Sequence, residues 1–462
     1  MAKQRKAKRR RRTGLASWME QVLACHRTAQ RTPDVQSVHQ LRKALRRCRT
    51  LAGALREVDP APEWRDMLKA SRALFKALGG LRDTHVLVIW LDRLAPEEDA
   101  VGRNLRYRLN QREVELTAAA RAALDAFDRE AWRESIGPLA ASAARHAPGE
   151  PLFEQLAMRR LVAAHAQHRR AMKGGSRTAW HDLRKDIKRL RYAVENFLPD
   201  LHARWGDELA LLQEALGDVH DLDVLWDEFG AAHLLVDGAT RDAWRRRLDA
   251  VRDARLDAYR ERMTGPGAGW KRWRDELLAP DRVERANHAA LARWGVHHGC
   301  DPERGAWLAD GLAAALDGLE HLVPEPPGPS TRRIGVAGAQ LHGLAGSPGK
   351  PASRKRIDRQ LAKLPLPIGW DEATRRACGR VLADMYRPVD ANPDEGDGLE
   401  LPSRLLGLLD ALAPVDAPLP NLRIVAAHGL LRFDVAPLAA DAAPAGRRLA
   451  AALGVPVILN PG

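Results

Sequence analysis

Within its 462 residues the chain carries one pattern twice, in the same order and at nearly the same spacing. His39-Gln-Leu-Arg-Lys-Ala-Leu-Arg-Arg-Cys-Arg49 matches His181-Asp-Leu-Arg-Lys-Asp-Ile-Lys-Arg-Leu-Arg191 at an offset of 142 residues. Leu78-Gly-Gly-Leu-Arg-Asp-Thr-His-Val-Leu87 matches Leu216-Gly-Asp-Val-His-Asp-Leu-Asp-Val-Leu225 at an offset of 138. Two ordered matches at almost one offset point to a duplicated unit. Aromatics are only 5% of the chain, while Ala, Leu and Arg abound, which favours helix over strand. The expected fold is mainly α: two pseudo-symmetric helical bundles facing each other across a two-fold axis.

The first motif has the chemistry of a cationic ridge. On a helical wheel starting at His39, Arg42, Arg46 and Arg49 fall within a sector of roughly 80° beside it, with Lys43 and Arg47 on the other flank. Leu41, Leu45 and Cys48 point the opposite way. In the second copy His181, Arg184, Lys185, Lys188, Arg189 and Arg191 repeat the ridge, Leu183, Ile187 and Leu190 form the apolar side, and Tyr192 falls near the cations. Cations at i,i+4 repel by a few tenths of a kcal/mol per pair. No Asp or Glu occurs between Asp34 and Glu57 to relieve this. An external anion would. Arg supplies paired planar donors for phosphate oxygens and Lys a mobile charge. The alternative is a solvated face laced with i,i+4 ion pairs. His39 and His181 are expected near the first turns of their helices, where the dipole also favours anions, with Thr32-Pro33 starting the first.

In the second motif, Arg82, His85 and His220 could extend the patch. Asp83 and Asp221 either orient those side chains, with Asp223, or act as helix N-caps, since each precedes an apolar run. Too few ligands stand at a recognised spacing for a metal.

Charge is uneven along the chain. The whole carries 74 basic and 60 acidic side chains, net +14, yet residues 285–462 hold 20 basic against 19 acidic. The surplus lies in the N-terminal part, so an anionic partner belongs there. Residues 1–13 form a basic tail with no apolar face, expected to be disordered alone. Residues 14–280 read as long amphipathic helices, about 14–145 and 152–280 for the two copies, broken at Ala61-Pro62, Lys173-Gly174-Gly175 and 265–269. Residues 285–462 are neutral and richer in Pro and Gly. Helical segments are expected at 287–322, 331–343, 370–387 and 402–413, with a loop at 324–330. A β-hairpin is expected over 422–435, turning at His428-Gly429, and a further strand at 455–460. The four cysteines are scattered without a CxxC, which fits a reducing cytoplasm. No run of about 18 apolar residues suggests a membrane span. His297-His298 with Cys300 lacks a fourth metal ligand and reads as a loop.

The pattern His39-x-x-Arg42-x-x-x-Arg46-Arg47-x-Arg49, its partner from His181 to Tyr192 and the LeuGly–Asp segments after each resemble the CHAD family, the conserved-histidine α-helical domain, over about residues 14–280. The resemblance implies two pseudo-symmetric helical bundles around a basic channel, inorganic polyphosphate as ligand, and association with polyphosphate granules. Carried over by position, His39, Arg42, Arg46, Arg47, Arg49, His181, Arg184, Lys185, Lys188, Arg189, Arg191 and Tyr192 would line that channel. Arg82 departs from symmetry, because the second copy has His220. Residues 285–462 resemble, more weakly, the helical HD-type domain that ends exopolyphosphatase and guanosine-pentaphosphatase enzymes. Leu341-His342-Gly343-Leu344, Ala383-Asp384-Met385-Tyr386-Arg387 and Leu405–Asp410 carry that likeness. Gly343 and Tyr386 replace two would-be ligands, so this part is expected to be a degenerate scaffold contacting polyphosphate or a partner protein. The expected function is thus non-catalytic polyphosphate binding, with no cofactor, no metal and no membrane. A nucleic-acid-binding protein is the first alternative, although the ridges lack the interleaved aromatics that stack bases. A phosphoanhydride hydrolase using the C-terminal part is the second.

Overall fold

The computed structural model describes residues 14–59, 62–96, 98–235, 237–320, 322–323, 326–347, 349–387, 398–413, 418–436 and 442–461. The basic tail 1–13 and Ala61 lie outside these residues. The chain divides into two compact units, the first ending at Arg282 and the second beginning at Val283.

The first unit is helical among its described residues: α1 (Leu15–Arg31), α2 (Val35–Val58), α3 (Pro62–Ala70), α4 (Arg72–Leu94), α5 (Ala100–Asp125), α6 (Arg129–Glu134), α7 (Ile136–Ala144), α8 (Pro151–Gly174), α9 (Arg177–Phe197), α10 (Pro199–Ala231), α11 (Gly238–Met263) and α12 (Gly269–Leu277). The first motif of each copy lies on α2 and α9. Asp34 starts α2, its carboxylate accepting from the Ser37 amide at 2.7 Å, so the helix begins after Thr32-Pro33 rather than at it. Ser176 caps α9 in the same way, its hydroxyl accepting from the Ala179 amide at 3.2 Å. His39 and His181 are each the fifth helical residue, just past the first turn. Val38, Leu41, Leu45 and Cys48 on α2 are buried, as are Leu183, Ile187, Leu190 and Val194 on α9. This is the three-four spacing of a helix with one apolar face. Gly175 ends α8 at φ 60°, a left-handed cap that glycine adopts without steric cost.

The second motif of each copy lies inside α4 and α10. Asp83 and Asp221 are therefore not N-caps: the apolar rows run straight through them, from Leu78 and Leu81 to Leu87, and from Leu216 and Val219 to Leu225. The copies also differ. The first reaches its second motif through α3 and α4, separated at Ser71; the second spans the same stretch with the single helix α10. Helix α2 packs against α9, and α4 against α10. Leu87, Trp90 and Leu91 of α4 share a buried core with Leu222, Leu225 and Phe229 of α10 and with Trp244 and Leu248 of α11. This core fixes the two second motifs side by side.

Helix α13 (Pro280–Val296) begins at the end of the first unit. The second unit continues with α14 (Pro302–Leu319), α15 (Pro329–Gln340), α16 (Arg354–Leu361), α17 (Glu372–Asp384), α18 (Glu400–Leu412) and α19 (Ala442–Leu453). The single segment expected at 287–322 is thus two helices, because Asp301 caps a new one, accepting from the Glu303 amide at 2.9 Å. The expected loop at 324–330 gives way to α15 at Pro329. A short ladder joins β1 (Gly346–Ser347) to β2 (Lys350–Pro351). Strands β3 (Asn421–Ala427) and β4 (Leu430–Ala436) pair antiparallel around His428 and Gly429, whose φ values of 53° and 76° suit a two-residue turn. Strand β5 (Val457–Pro461) adds parallel to β4. A parallel pair needs a crossover, and the Ala-rich α19, not read from sequence, supplies it.

A cationic cluster between the paired helices

Arg42 and Arg46 of α2, Arg82 of α4, and Arg184 and Lys188 of α9 act electrostatically on one another. Burial and then Arg46, Arg184 and Arg42 lower Lys188 to about 8. Burial lowers Arg184, opposed by Asp221 and reinforced by Arg46. Burial likewise lowers Arg82, with Asp221 and Asp83 opposing and Arg46 adding to the effect. The ridges of the two copies therefore share one field. Among the described residues, Arg46, Arg82, Arg184 and Lys188 make neither an ion pair nor a hydrogen bond. The Nε atoms of Arg42 and Arg46 are buried donors without a partner. Unsatisfied guanidinium donors among like charges are costly, and an oxyanion would satisfy them.

Arg42 is the best-held member. Its Nη1 donates to the Phe75 carbonyl at 2.9 Å, and its guanidinium lies 4.5 Å from the Phe75 ring centre. A Cβ at Gly79 would sit 2.8 Å from that Nη1. Gly79 thus clears the space that Arg42 fills, a role that sequence reading missed although the Gly79-Gly80 pair inside a helix was its signal.

Two carboxylates face the cluster. Burial raises Asp221 to about 6, with Arg184 lowering it and Asp218 and Asp83 raising it further. Asp83 acts on Arg42, Arg82, Arg184 and Lys188 alike. Both soften the repulsion without closing an ion pair to the four free cations.

The histidines contribute polarity more than charge. His181 and His220 hold their Nδ1 atoms 3.2 Å apart. Burial lowers His220 to about 4, helped by Arg184 and His181. Burial, Lys185 and Arg184 lower His181. His39 is lowered by burial and then by Arg82, Lys43 and Arg46. Tyr192 is close enough to act on Arg184.

Other expected members point elsewhere. His85 is 3% exposed and its Nε2 lies 3.1 Å from Glu113 of α5, so it ties helices together and does not extend the patch. Arg49 donates to the Leu68 carbonyl at 2.6 Å and to Ser71 at 2.7 Å, bracing α3. Arg47 lies 3.7 Å from Glu195 and over Trp18, while Arg191 stands 3.9 Å from the same carboxylate. Lys185 pairs with Asp182 at 2.7 Å and Arg189 with Asp186 at 2.9 Å, both exposed. Lys43 is exposed on the flank. For Lys185 and Arg189 the solvated, ion-paired face describes the structure, with the pairs at i,i+3; for the central row it does not.

In the second unit Arg304 donates through Nε to Asp410 at 2.8 Å, and the Tyr386 hydroxyl donates to Asp410 at 2.5 Å. This is a satisfied polar network. A Cβ at Gly343 would stand 3.1 Å from the Gly299 carbonyl oxygen, so little room exists for a larger side chain there. Among the described residues no group of three or more His, Cys, Asp or Glu side chains is gathered as a metal site. No described helix is long and apolar enough to cross a membrane.

Fold and site together define a helical protein with an unneutralised cationic cluster between two sequence-related helix pairs. Residues 14–230 match the model of the CHAD domain. The match does not extend to residues 285–462. Among solved structures, the CHAD domain from the plant Ricinus communis is similar at 23% identity and a TM-score of 0.38, covering 57% of this chain and 89% of that one. No curated protein matched.

Proposed function

We propose that the first unit binds inorganic polyphosphate, without catalysis, between α2 and α4 on one side and α9 and α10 on the other, and so takes the protein to polyphosphate granules. The two copies are read as pseudo-symmetric halves of one binding site. The observation that carries this is the row Arg46, Arg82, Arg184 and Lys188, none of which has an ion-pair or hydrogen-bond partner among the described residues. A polyphosphate thread has about one charge per phosphate. Threaded between the helices, it meets cations from both sides and releases its counterions. The family supports the same ligand class. Residues 285–462, in this reading, are a degenerate HD-like scaffold that presents a surface to polyphosphate or a protein partner.

The test is a salt-titrated binding assay with polyphosphates of defined length, on the full chain and on a chain starting at residue 14. Affinity should rise with polymer length and fall steeply with salt. Reversing Arg42, Arg46, Arg184 and Lys188 to Glu should abolish binding; unchanged affinity at physiological salt defeats the proposal. Nucleic acid that displaces polyphosphate more effectively than the reverse would favour the nucleic-acid alternative. Phosphate release with Mg²⁺ or Mn²⁺ that is lost on mutating His342 and Asp410 would establish the hydrolase alternative.

A further inference from the structure

Lys188 differs from the other lysines of the ridges. Lys43 and Lys185 are exposed, and Lys185 is paired with Asp182. Lys188 is half-buried, has no ion pair among the described residues, and shares its helix face with Arg184 one turn earlier. Arg46 and Arg42 act on it from α2, and the acidic group acting on it is Asp83 of α4. Burial and three guanidiniums all favour the neutral amine over the ammonium, and its pKa falls to about 8. The same guanidiniums are the donors suited to phosphate oxygens. At pH 8 roughly half of Lys188 is the neutral amine, and beside a phosphate-holding cradle that fraction has what an activated nucleophile needs: a free lone pair and a positioned electrophile.

We propose that Lys188 is a site of acylation by small acyl phosphates, with Arg46 and Arg184 holding the phosphate part. This rests on the anion-binding reading above for those two arginines. The Nζ lone pair attacks the carbonyl carbon and a C–N bond forms. The bond from that carbon to the phosphate oxygen breaks, its electron pair leaving with phosphate, and one amine proton passes to water. Nothing is oxidised or reduced, and the acyl phosphate is the sole co-reactant. The amide product is uncharged, so the modification removes a central cation and weakens the grip on a polyanion. A rising level of acyl phosphate would thereby loosen polyphosphate binding.

The experiment incubates the full chain with acetyl phosphate at pH 8 and follows acetylation lysine by lysine by mass spectrometry. Lys188 should react roughly tenfold faster than Lys43 and Lys185. Tripolyphosphate should slow Lys188 and leave the exposed lysines unchanged. An acetyl succinimidyl ester, which has no phosphate to hold, should show a smaller preference, and Arg46→Gln should reduce the preference seen with acetyl phosphate. Equal rates at the three lysines, or an undiminished preference with the succinimidyl ester, overturns the proposal, and both arms use the wild-type chain. Amide formation at one residue needs no polymer. Its failure is therefore distinct from a failure of polyphosphate binding, which the salt-titrated assay scores by itself.

Discussion

His181 and His220 meet Nδ1 to Nδ1 at 3.2 Å, while the positions that match them in the first copy are His39 and Arg82. One copy places two rings together and the other a ring beside a guanidinium. Two Nδ1 atoms at this distance share one proton, and with His220 held at about 4 the pair stays neutral at pH 7. The two rings therefore offer hydrogen bonds, and the neighbouring Arg184 supplies the charge. His220→Gln should change polyphosphate affinity by less than about threefold, whereas Arg184→Gln should cost roughly tenfold or more, the scale of one charged hydrogen-bonding group. Equilibrium binding at 0.15 M salt compares the two variants; a larger loss in the histidine variant contradicts this division of roles.

Lys188 makes binding depend on alkaline pH. In the free protein its ammonium is depressed to about 8, and a bound polyanion favours the charged form. Binding then takes up a proton near pH 8, so affinity falls as pH rises from 7 to 9. Lys188→Arg keeps its charge throughout this range and should flatten the profile. Titrations at fixed ionic strength measure both curves, and identical pH dependence in the two proteins would contradict the assignment.

Asp221 predicts a stability change of definite sign. Its folded pKa of about 6 lies above the unfolded carboxylate value. The folded state binds more protons between those values, so stability is lost as pH rises through 6 and the cost stands in full above it. Asp221→Asn should stabilise the first unit at pH 8 by an amount on the order of 2 kcal/mol and change little near pH 4. Thermal unfolding at the two pH values is the measurement. Equal effects at both would show that the carboxylate is not held protonated by its surroundings.

Gly79 separates packing from function. Alanine gains about 1 kcal/mol of helix propensity over glycine, but its Cβ intrudes to 2.8 Å on the Arg42 guanidinium. Gly79→Ala should leave the melting temperature nearly unchanged or higher while lowering polyphosphate affinity severalfold, because Arg42 loses its seat on Phe75. Unaltered affinity would show that Arg42 holds no ligand.

Much of the arrangement was legible in the residues. The repeated motif placed cations on α2 and α9 and apolar rows behind them, because three-four spacing dictates which side of a helix is buried. The hairpin at His428-Gly429 was legible from turn chemistry. Helix α19 was not, because its need arises from β5 joining β4 in parallel, a long-range pairing. Nor was the fate of each cation. The wheel put Arg42, Arg46 and Arg49 in one sector, yet Arg49 reaches the Leu68 carbonyl and Ser71. Arg47 and Arg191 both lie near Glu195, a carboxylate remote in sequence from Arg47.

The sequence by itself determined that two cationic helices exist and which faces they bury, since periodicity and composition act within one element. Only the tertiary structure decided which cations stay unneutralised. That depends on which carboxylates, carbonyls and rings arrive from other helices. Among the described residues Arg46, Arg82, Arg184 and Lys188 are left without such partners, in one shared field, and the core of α4, α10 and α11 holds the two second motifs side by side.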